Sequence, residues 1–206
     1  MLNKTKVAVM VSGGGTNLQA LIDAQAAGKL PDGEIVLVIS SNPAAYALER
    51  AAKAGIPAVT VSRKACNGDQ TLFEAQIQEA LEAYGVQVIV LAGFMSILSE
   101  NFTSRWPRRI LNVHPSLIPS FCGAGFYGLK VHEAALAYGV KVTGATVHFV
   151  NEIPDGGEIL LQKSVAIRKD DTPETLQRRV MEQAEWKLLP RACQMVCQNI
   201  RKGRTV

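Results

Sequence analysis

The sequence lacks the features that would assign the protein to a membrane or to the secretory pathway. Only 19% of its 206 residues are charged and 6% are aromatic, whereas 48% are hydrophobic. No apolar run approaches the roughly 20 residues of a membrane-spanning helix, since the longest, at residues 86–98, is interrupted by polar residues and a glycine. Residues 1–6 lack the apolar segment and cleavage site of a signal peptide. We expect a soluble, cytoplasmic globular protein.

Cysteine is scarce and shows no metal-binding spacing. Cys66 and Cys122 are isolated in the sequence, and Cys193 and Cys197 have no histidine nearby that could complete a zinc cluster. We therefore expect all four cysteines to be reduced thiols.

A basic stripe is also missing, because the formal charge of +4 comes from scattered residues. The one local cluster, at residues 201–204, has no interleaved aromatic residues, so we interpret it as a solvated end and not as a nucleic-acid-binding arm. The net positive field favours an anionic small substrate. We expect small-molecule partners, and neither nucleic acid nor membrane.

Apolar strands alternate with helix-period segments over the first two thirds of the chain. Near-continuous Val, Ile and Leu runs separated by helices are typical of a parallel sheet that is covered on both faces. Strands are predicted at residues 7–11, 35–39, 58–61, 88–91 and 110–113, and helices from about residue 17, at 45–54 and at 71–84.

The pattern changes in the last third. Strands predicted at residues 142–150 and 158–165 are joined by a connection too short for a crossover helix, which indicates an antiparallel pair. A final helix begins at Thr172-Pro173-Glu174, with a capping side chain and a proline in its first turn. We expect an α/β, Rossmann-like, doubly wound and mostly parallel sheet with an antiparallel C-terminal strand pair and a closing C-terminal helix, in one domain of residues 1–206.

A glycine-rich loop follows the first strand and precedes a helix. Glycines let the backbone approach an anion, and the free N–H groups at a helix start point toward it. The loop contains neither G-x-G-x-x-G nor G-K-[ST], so we interpret it as a site for a phosphate monoester or diphosphate. A tight turn without a ligand is the alternative. The loop comprises Gly13, Gly14, Gly15, Thr16 and Asn17.

An amide and an imidazole occur two residues apart where a predicted strand ends. Residues i and i+2 of a strand share a side, so Asn112 and His114 should project together, and Pro115 prevents continuation as an interior strand. Open α/β sheets bind ligands at such carboxyl ends. Of the other histidines, we interpret His148 as structural and His132 as a surface or capping residue at a helix start.

Asp155 lies in the connection between the last two strands, before Gly156 and Gly157. Asp-Gly is a common hairpin turn, and this is the simpler interpretation. If the turn shares a sheet edge with His114, the carboxylate would accept protons and raise the pKa of the imidazole. Asn112, His114 and Asp155 would then form one site.

With these residues in place, the sequence resembles the glycinamide ribonucleotide formyltransferases, the folate-dependent transformylases of purine synthesis, over essentially its whole length. The Asn-x-His-Pro-Ser core and the distant aspartate are shared by the wider formyltransferase superfamily, and the glycine loop narrows the choice. The resemblance is carried by Ser12-Gly13-x-Gly15-Thr16-Asn17-Leu18-Gln19, Leu91-Ala92-Gly93-Phe94-Met95-x-Ile97-Leu98, Asn112-x-His114-Pro115-Ser116-Leu117-x-Pro119, and Gly144-x-Thr146-Val147-His148-Phe149-Val150 followed by Asp155-Gly156-Gly157.

The resemblance implies transfer of the formyl group of 10-formyltetrahydrofolate to the glycine amine of glycinamide ribonucleotide, without a metal. Negative charge develops on the formyl oxygen during the attack, and Asn112 and a protonated His114 can donate hydrogen bonds to it. We hypothesise that Asp155 keeps His114 protonated and helps to move the proton from the amine to the departing folate nitrogen.

The resemblance also assigns the two substrates to the two halves of the chain. Residues 1–105 would hold the ribonucleotide, with its phosphate on the glycine loop, and residues 106–206 would carry catalysis and folate binding. Pro115 and Glu185 match substrate-contacting positions. We expect a monomer or a homodimer. The folate-binding residues would be Leu91, Met95, Ser96, Ile97, Leu98, Val150, Asn151, Glu152, Ile153 and Pro154.

Two positions depart from the family pattern. Ser96 stands where some members carry an arginine beside the folate, which leaves contact with the folate's glutamate tail open. Residues 122–130 form a longer loop than in shorter members, and its glycines suggest either a lid over the formyl site or an ordered surface loop.

Three other functions remain open from the sequence. A methionyl-tRNA formyltransferase-like enzyme would need a C-terminal RNA-binding domain, for which we expect no space. A formyltetrahydrofolate hydrolase-like enzyme would normally carry an N-terminal regulatory domain. A non-catalytic module that binds a nucleotide phosphate would use the glycine loop alone.

Overall fold

The computed structural model describes residues 4–204, and its centre is one seven-stranded sheet. Residues 1–3, which belong to the segment in which we expected no signal peptide, lie outside the described residues. The sheet has the order β3-β2-β1-β4-β5-β6-β7. The strands are β1 (Thr5–Val11), β2 (Gly33–Ser40), β3 (Ala58–Thr60), β4 (Val88–Leu91), β5 (Ile110–His114), β6 (Val142–Phe149) and β7 (Ile159–Ala166).

The strand directions confirm the predicted mixed sheet. The pairs β1–β2, β1–β4, β2–β3 and β4–β5 are parallel. The pairs β5–β6 and β6–β7 are antiparallel. Five strands therefore form a doubly wound parallel sheet, and the short connection at residues 150–158 makes the last pair antiparallel, as expected from its length.

Helices cover both faces of the sheet, which explains why residues 7–11 of β1 are all apolar. Val7 and Val9 belong to one buried cluster with residues of the first and last helices, whereas Ala8 and Met10 belong to the cluster on the other face. The helices are α1 (Thr16–Ala26), α2 (Tyr46–Lys53), α3 (Gln70–Ala83), α4 (Glu100–Thr103), α5 (Leu129–Tyr138), α6 (Pro173–Val180) and α7 (Trp186–Arg201).

The closing helical segment is less regular than its apolar pattern predicts. The side chain of Thr172 caps α6 by accepting from the backbone N–H of Thr175, which confirms the predicted start. A π-helical turn, Met181–Glu185, then separates α6 from α7. Such turns are often found at functional sites.

The topology brings the candidate site residues to one edge of the sheet. The carboxyl ends of β1, β4 and β5 are neighbours, so the glycine loop, the segment after Leu91 and the side chains of Asn112 and His114 lie along that edge. The four cysteines are free. In the described part of the chain, no helix is long and apolar enough to cross a membrane.

Candidate active site

The structure brings Asn112, His114 and Asp155 together at the end of β5. The side-chain nitrogen of Asn112 lies 3.4 Å from Oδ1 of Asp155. Nδ1 of His114 lies 3.4 Å from Oδ2 of the same carboxylate. The side chains of His114 and Asp155 are only 5% and 13% exposed. Two side-chain nitrogens, one from each residue, therefore face the two oxygens of one carboxylate in a largely water-excluded place.

One hydrogen bond shows which ring nitrogen of His114 acts as a donor. Its Nε2 lies 2.8 Å from the carbonyl oxygen of Phe121, which can only accept, so Nε2 carries a hydrogen. Nδ1 is the nitrogen that faces Asp155. A second proton on Nδ1 would make the ring a cation directly against the carboxylate.

The surroundings of Asp155 keep it ionised. Burial acts to raise the pKa of this carboxyl, but the contact with His148, the N–H of Gly123 and the nearby charge of His114 together outweigh burial, and the pKa falls below its usual value. The N–H of Gly123 donates to Oδ2 over 2.8 Å. Asp155 thus remains a negative partner for His114 at neutral pH.

His148 was interpreted from the sequence only as a structural histidine, and its place in the site was missed. The residue pairs with Asn112 across β5 and β6, and its Nε2 lies 3.1 Å from the Asn112 side-chain nitrogen. Nδ1 lies 2.8 Å from the carbonyl oxygen of Phe149, so Nδ1 carries a hydrogen, and Nε2 faces both the Asn112 side chain and Oδ1 of Asp155, which is 3.6 Å away. His148 therefore orients the amide of Asn112.

The prediction that His132 is a surface or capping residue was wrong, since the N-cap of α5 is Gly128. It is fully buried in the first turn of α5, and neither ring nitrogen has a hydrogen-bond partner among the described residues. Burial, followed by the proximity of His114, lowers its pKa to about 4. His132 is therefore a neutral ring packed on the inner face of the helix beside Val131 and Ala135.

The glycine loop has the geometry of an anion-binding loop. Gly15 is the N-cap of α1 with φ 71°, and the first turn of α1 contains no acidic residue. Among residues 4–204, no acceptor takes the backbone N–H groups of Gly14, Gly15, Thr16 or Asn17. These donors lie at the positive end of the helix dipole.

Glu185 lies directly against this loop. Its Oε2 accepts a hydrogen bond of 2.7 Å from the side-chain nitrogen of Asn17. Burial raises the pKa of Glu185 to about 7, against the opposing effect of the Asn17 hydrogen bond. Oδ1 of Asn17 is buried without a partner in the described structure. The π-helical turn that ends at Glu185 thus places a buried acid beside the glycine loop, a position that periodicity alone does not reveal.

The segments predicted to bind folate expose large apolar side chains. Met95, Ile97 and Ile153 are 55%, 65% and 58% exposed. In contrast, the side chains of Leu91 and Leu98 pack in the hydrophobic core, at the two ends of the segment that contains Met95 and Ile97. Met95 and Ile97 follow the carboxyl end of β4, and Ile153 lies in the connection between β6 and β7.

The long loop at residues 122–130 begins against the catalytic candidates. The carbonyl of Phe121 accepts from His114, and the N–H of Gly123 donates to Asp155. The ring of Phe121 also packs edge-on against Phe126 and Tyr138, with centroids 6.4 and 6.0 Å away. The start of the loop is therefore part of the site, and its movement as a lid stays a prediction.

Comparison with known proteins agrees with this geometry. The formyl transferase family matches residues 5–193. The chain is 43% identical over 185 residues to the phosphoribosylglycinamide formyltransferase of Haemophilus influenzae, covering 90% of this chain and 84% of that protein. It is 46% identical over 196 residues to the trifunctional purine biosynthetic protein adenosine-3 of Gallus gallus, covering 94% of this chain but spanning only 18% of that relative's length.

A solved structure extends the similarity to the fold. Glycinamide ribonucleotide transformylase 1 from Symbiobacterium toebii superimposes with a TM-score of 0.88 at 40% identity, covering 98% of this chain and 90% of the other. Sequence and fold agree over nearly the whole chain, so the protein belongs to the formyl transferase family.

Proposed function

We propose that the protein transfers the formyl group of 10-formyltetrahydrofolate to the glycine amine of glycinamide ribonucleotide, in purine biosynthesis. The observation that carries the proposal is the convergence of Asn112 and His114 on Asp155 at the sheet edge that also holds the glycine loop. The names of the similar proteins from Haemophilus influenzae and Symbiobacterium toebii support the choice of acceptor.

The reaction needs an N–H donor where charge develops. The amine nitrogen of the ribonucleotide forms a bond to the formyl carbon, and the formyl oxygen gains negative charge. With His114 protonated, its Nδ1 and the side-chain nitrogen of Asn112 are both donors, and each lies 3.4 Å from an oxygen of Asp155, a distance at which hydrogen bonds are weak. Both donors are therefore available to a stronger acceptor, the oxyanion, which they stabilise in the transition state.

The second half of the reaction is a proton transfer. The bond between the formyl carbon and N10 of the folate breaks, the amine loses one proton, and N10 gains one, so atoms and charge balance. Asp155 is ionised and adjacent to His114. The carboxylate favours a protonated His114 and, directly or through water, relays the proton from the attacking amine to N10.

The glycine loop binds the phosphate of the ribonucleotide. Four consecutive N–H groups, which have no acceptor in the described part of the chain and lie at the positive end of α1, suit a phosphate monoester. Glu185 lies beside the loop through its hydrogen bond to Asn17 and contacts the rest of the ribonucleotide. The formyl acceptor is thereby held at both ends.

The folate binds on the exposed apolar surface. Met95, Ile97 and Ile153 provide large apolar side chains that the protein itself does not cover. A flat pterin ring buries such surface at a gain of about 25 cal/mol per Å². Ser96, between Met95 and Ile97 in the sequence, offers no charge to the glutamate tail of the folate.

A formyl-transfer assay with 10-formyltetrahydrofolate and glycinamide ribonucleotide tests the proposal, with water-only and methionyl-tRNA reactions as controls. We expect formylation of the ribonucleotide that depends on both substrates. Deformylation without the ribonucleotide would identify a hydrolase-like enzyme, and formylation of the tRNA a methionyl-tRNA formyltransferase-like one. Binding of the ribonucleotide without turnover would identify a binding module, and each of these three results would refute the proposal.

A further inference from the structure

Helix α2 holds the glycine loop through the carbonyl groups of two consecutive loop residues, Gly13 and Gly14. The backbone N–H of Ala47 donates to the carbonyl oxygen of Gly13 over 3.1 Å. Nε of Arg50 donates to the carbonyl oxygen of Gly14 over 2.8 Å. The loop is thus tied to a helix that lies more than 30 residues further along the chain.

These two bonds determine where the loop's N–H groups point. The peptide bonds that follow Gly13 and Gly14 are trans, and in a planar trans peptide the C=O and N–H groups point in opposite directions. Because both carbonyls face α2, the N–H groups of Gly14 and Gly15 face away from it. Neither N–H group has an acceptor among residues 4–204. Successive N–H groups oriented in this way form a concave anion-binding site.

Arg50 is itself held in a fixed position. Its guanidinium lies over the ring of Tyr46 at 5.1 Å, and Nη1 donates to Oε1 of Gln19 over 2.9 Å. Its side chain therefore contacts α2, the glycine loop and α1 at once. The contact is close, since a Cβ atom on Gly15 would lie only 3.4 Å from Cδ of Arg50.

We propose that Arg50 is a positioning residue for the phosphate of the ribonucleotide. It holds the carbonyl of Gly14, and this bond orients the N–H of Gly15 toward the phosphate. Arg50 can orient the loop in this way because its guanidinium is planar, and its charge alone is not sufficient. The inference rests on the proposed function, because it assigns the glycine loop to phosphate binding.

Three variants test the inference in steady-state kinetics. Arg50→Met removes the bond to Gly14, and we expect the KM for glycinamide ribonucleotide to rise on the order of tenfold, the effect of losing one charged hydrogen bond. The kcat and the KM for the folate should stay near wild type. Arg50→Lys keeps the charge but lacks the planar donor fork, so its KM should remain raised.

Lys53→Met is the matched control. Lys53 lies on the same helix, and its Nζ lies 5.7 Å from the centre of the Tyr46 ring, but within residues 4–204 its side chain makes no hydrogen bond to the glycine loop. The control removes the same charge and should leave every kinetic constant unchanged. Thermal unfolding of each variant reports whether the fold is retained.

The inference would be overturned if Arg50→Lys restored the wild-type KM, because the charge would then act without the fork. A wild-type KM in Arg50→Met, or an equal rise in Lys53→Met, would also overturn it. Calorimetric titration with the ribonucleotide and with inorganic phosphate gives a readout that needs no turnover. If the wild-type protein binds the ribonucleotide but transfers no formyl group, the proposed function fails while the role of Arg50 is still measured.

Discussion

Glu185 and Asn17 are 168 residues apart in the sequence and share a hydrogen bond of 2.7 Å. The bond joins the π-helical turn before α7 to the first turn of α1, where the glycine loop ends. The acceptor is Glu185, a residue that is only 6% exposed. The second half of the chain thereby completes a site that begins in the first.

The burial of Glu185 predicts a pH-dependent stability. Its pKa is about 7 in the folded protein, against 4.5 for an unperturbed glutamate. Below pH 4.5 the carboxyl is protonated in both the folded and the unfolded protein, so its burial does not lower the free energy of unfolding. Between the two values only the unfolded chain loses the proton, so the free energy of unfolding falls as pH rises, by about 3 kcal/mol in total at 1.36 kcal/mol per pKa unit.

Denaturant unfolding between pH 4.5 and 8 measures this effect. The side chain of Glu185→Gln can still accept a hydrogen bond from Asn17, but it does not titrate. This part of the pH dependence should therefore disappear. The variant should be more stable than the wild type only at the high-pH end of the range. Glu182→Gln, an exposed neighbour in the same turn, is the control. Parallel profiles for the wild type and Glu185→Gln would contradict the prediction.

Gly15→Ala should destabilise the protein by about 1–3 kcal/mol. Gly15 has φ 71°, and a Cβ atom there would lie 2.7 Å from Cβ of Ala47. Gly14 offers a control in the same loop, because a Cβ on it meets nothing within 4 Å. Thermal unfolding should therefore show a clear loss of stability for Gly15→Ala and little for Gly14→Ala. Equal effects at both positions would rule out the close contact with α2 as the cause.

The local parts of this architecture were predictable from the sequence. Each buried strand is an apolar run, so β4 was predicted at its observed bounds, Val88–Leu91. The helices α2 and α3 were predicted to within one residue at each end. Local periodicity and capping residues are sufficient for such elements.

The long-range parts were not predictable in this way. The place of His148 depends on the register of β6 against β5, which sets Asn112 opposite it, and the hydrophobic pattern predicts only that both strands exist. The contact of Arg50 with Gly14 joins residues 36 positions apart. The burial of His132 depends on which face of α5 packs inward. Each of these features comes from tertiary packing and leaves no signal in a short segment of sequence.

Loss of the Asp155 charge should reduce turnover without reducing ribonucleotide affinity. Asp155→Asn keeps the shape of the side chain but no longer favours a protonated His114, and removal of one donor by Asn112→Ala or His114→Ala acts at the same point. We expect each variant to lower kcat about 100- to 1,000-fold. Single-turnover kinetics and calorimetric titration with the ribonucleotide separate chemistry from binding.

Asp170→Asn is the control for this series, since Asp170 is an exposed carboxylate in the turn after β7. It should leave kcat unchanged. Near-normal turnover in all three site variants would exclude the assigned roles. A loss of ribonucleotide binding equal to the loss of turnover would instead place these residues in substrate binding.

The exposed side chain of Ile97 should contribute to folate affinity and little to stability. It is 65% exposed, so Ile97→Ser removes almost no packing from the folded protein, yet it removes apolar surface from the proposed pterin site. We expect the KM for 10-formyltetrahydrofolate to rise about tenfold, from the roughly 1.5 kcal/mol that burial of one such side chain supplies. The KM for the ribonucleotide should not change. Leu72→Ser, which alters a 46% exposed residue on α3, is the matched control and should change neither KM. A wild-type folate KM in Ile97→Ser would remove this surface from the folate site.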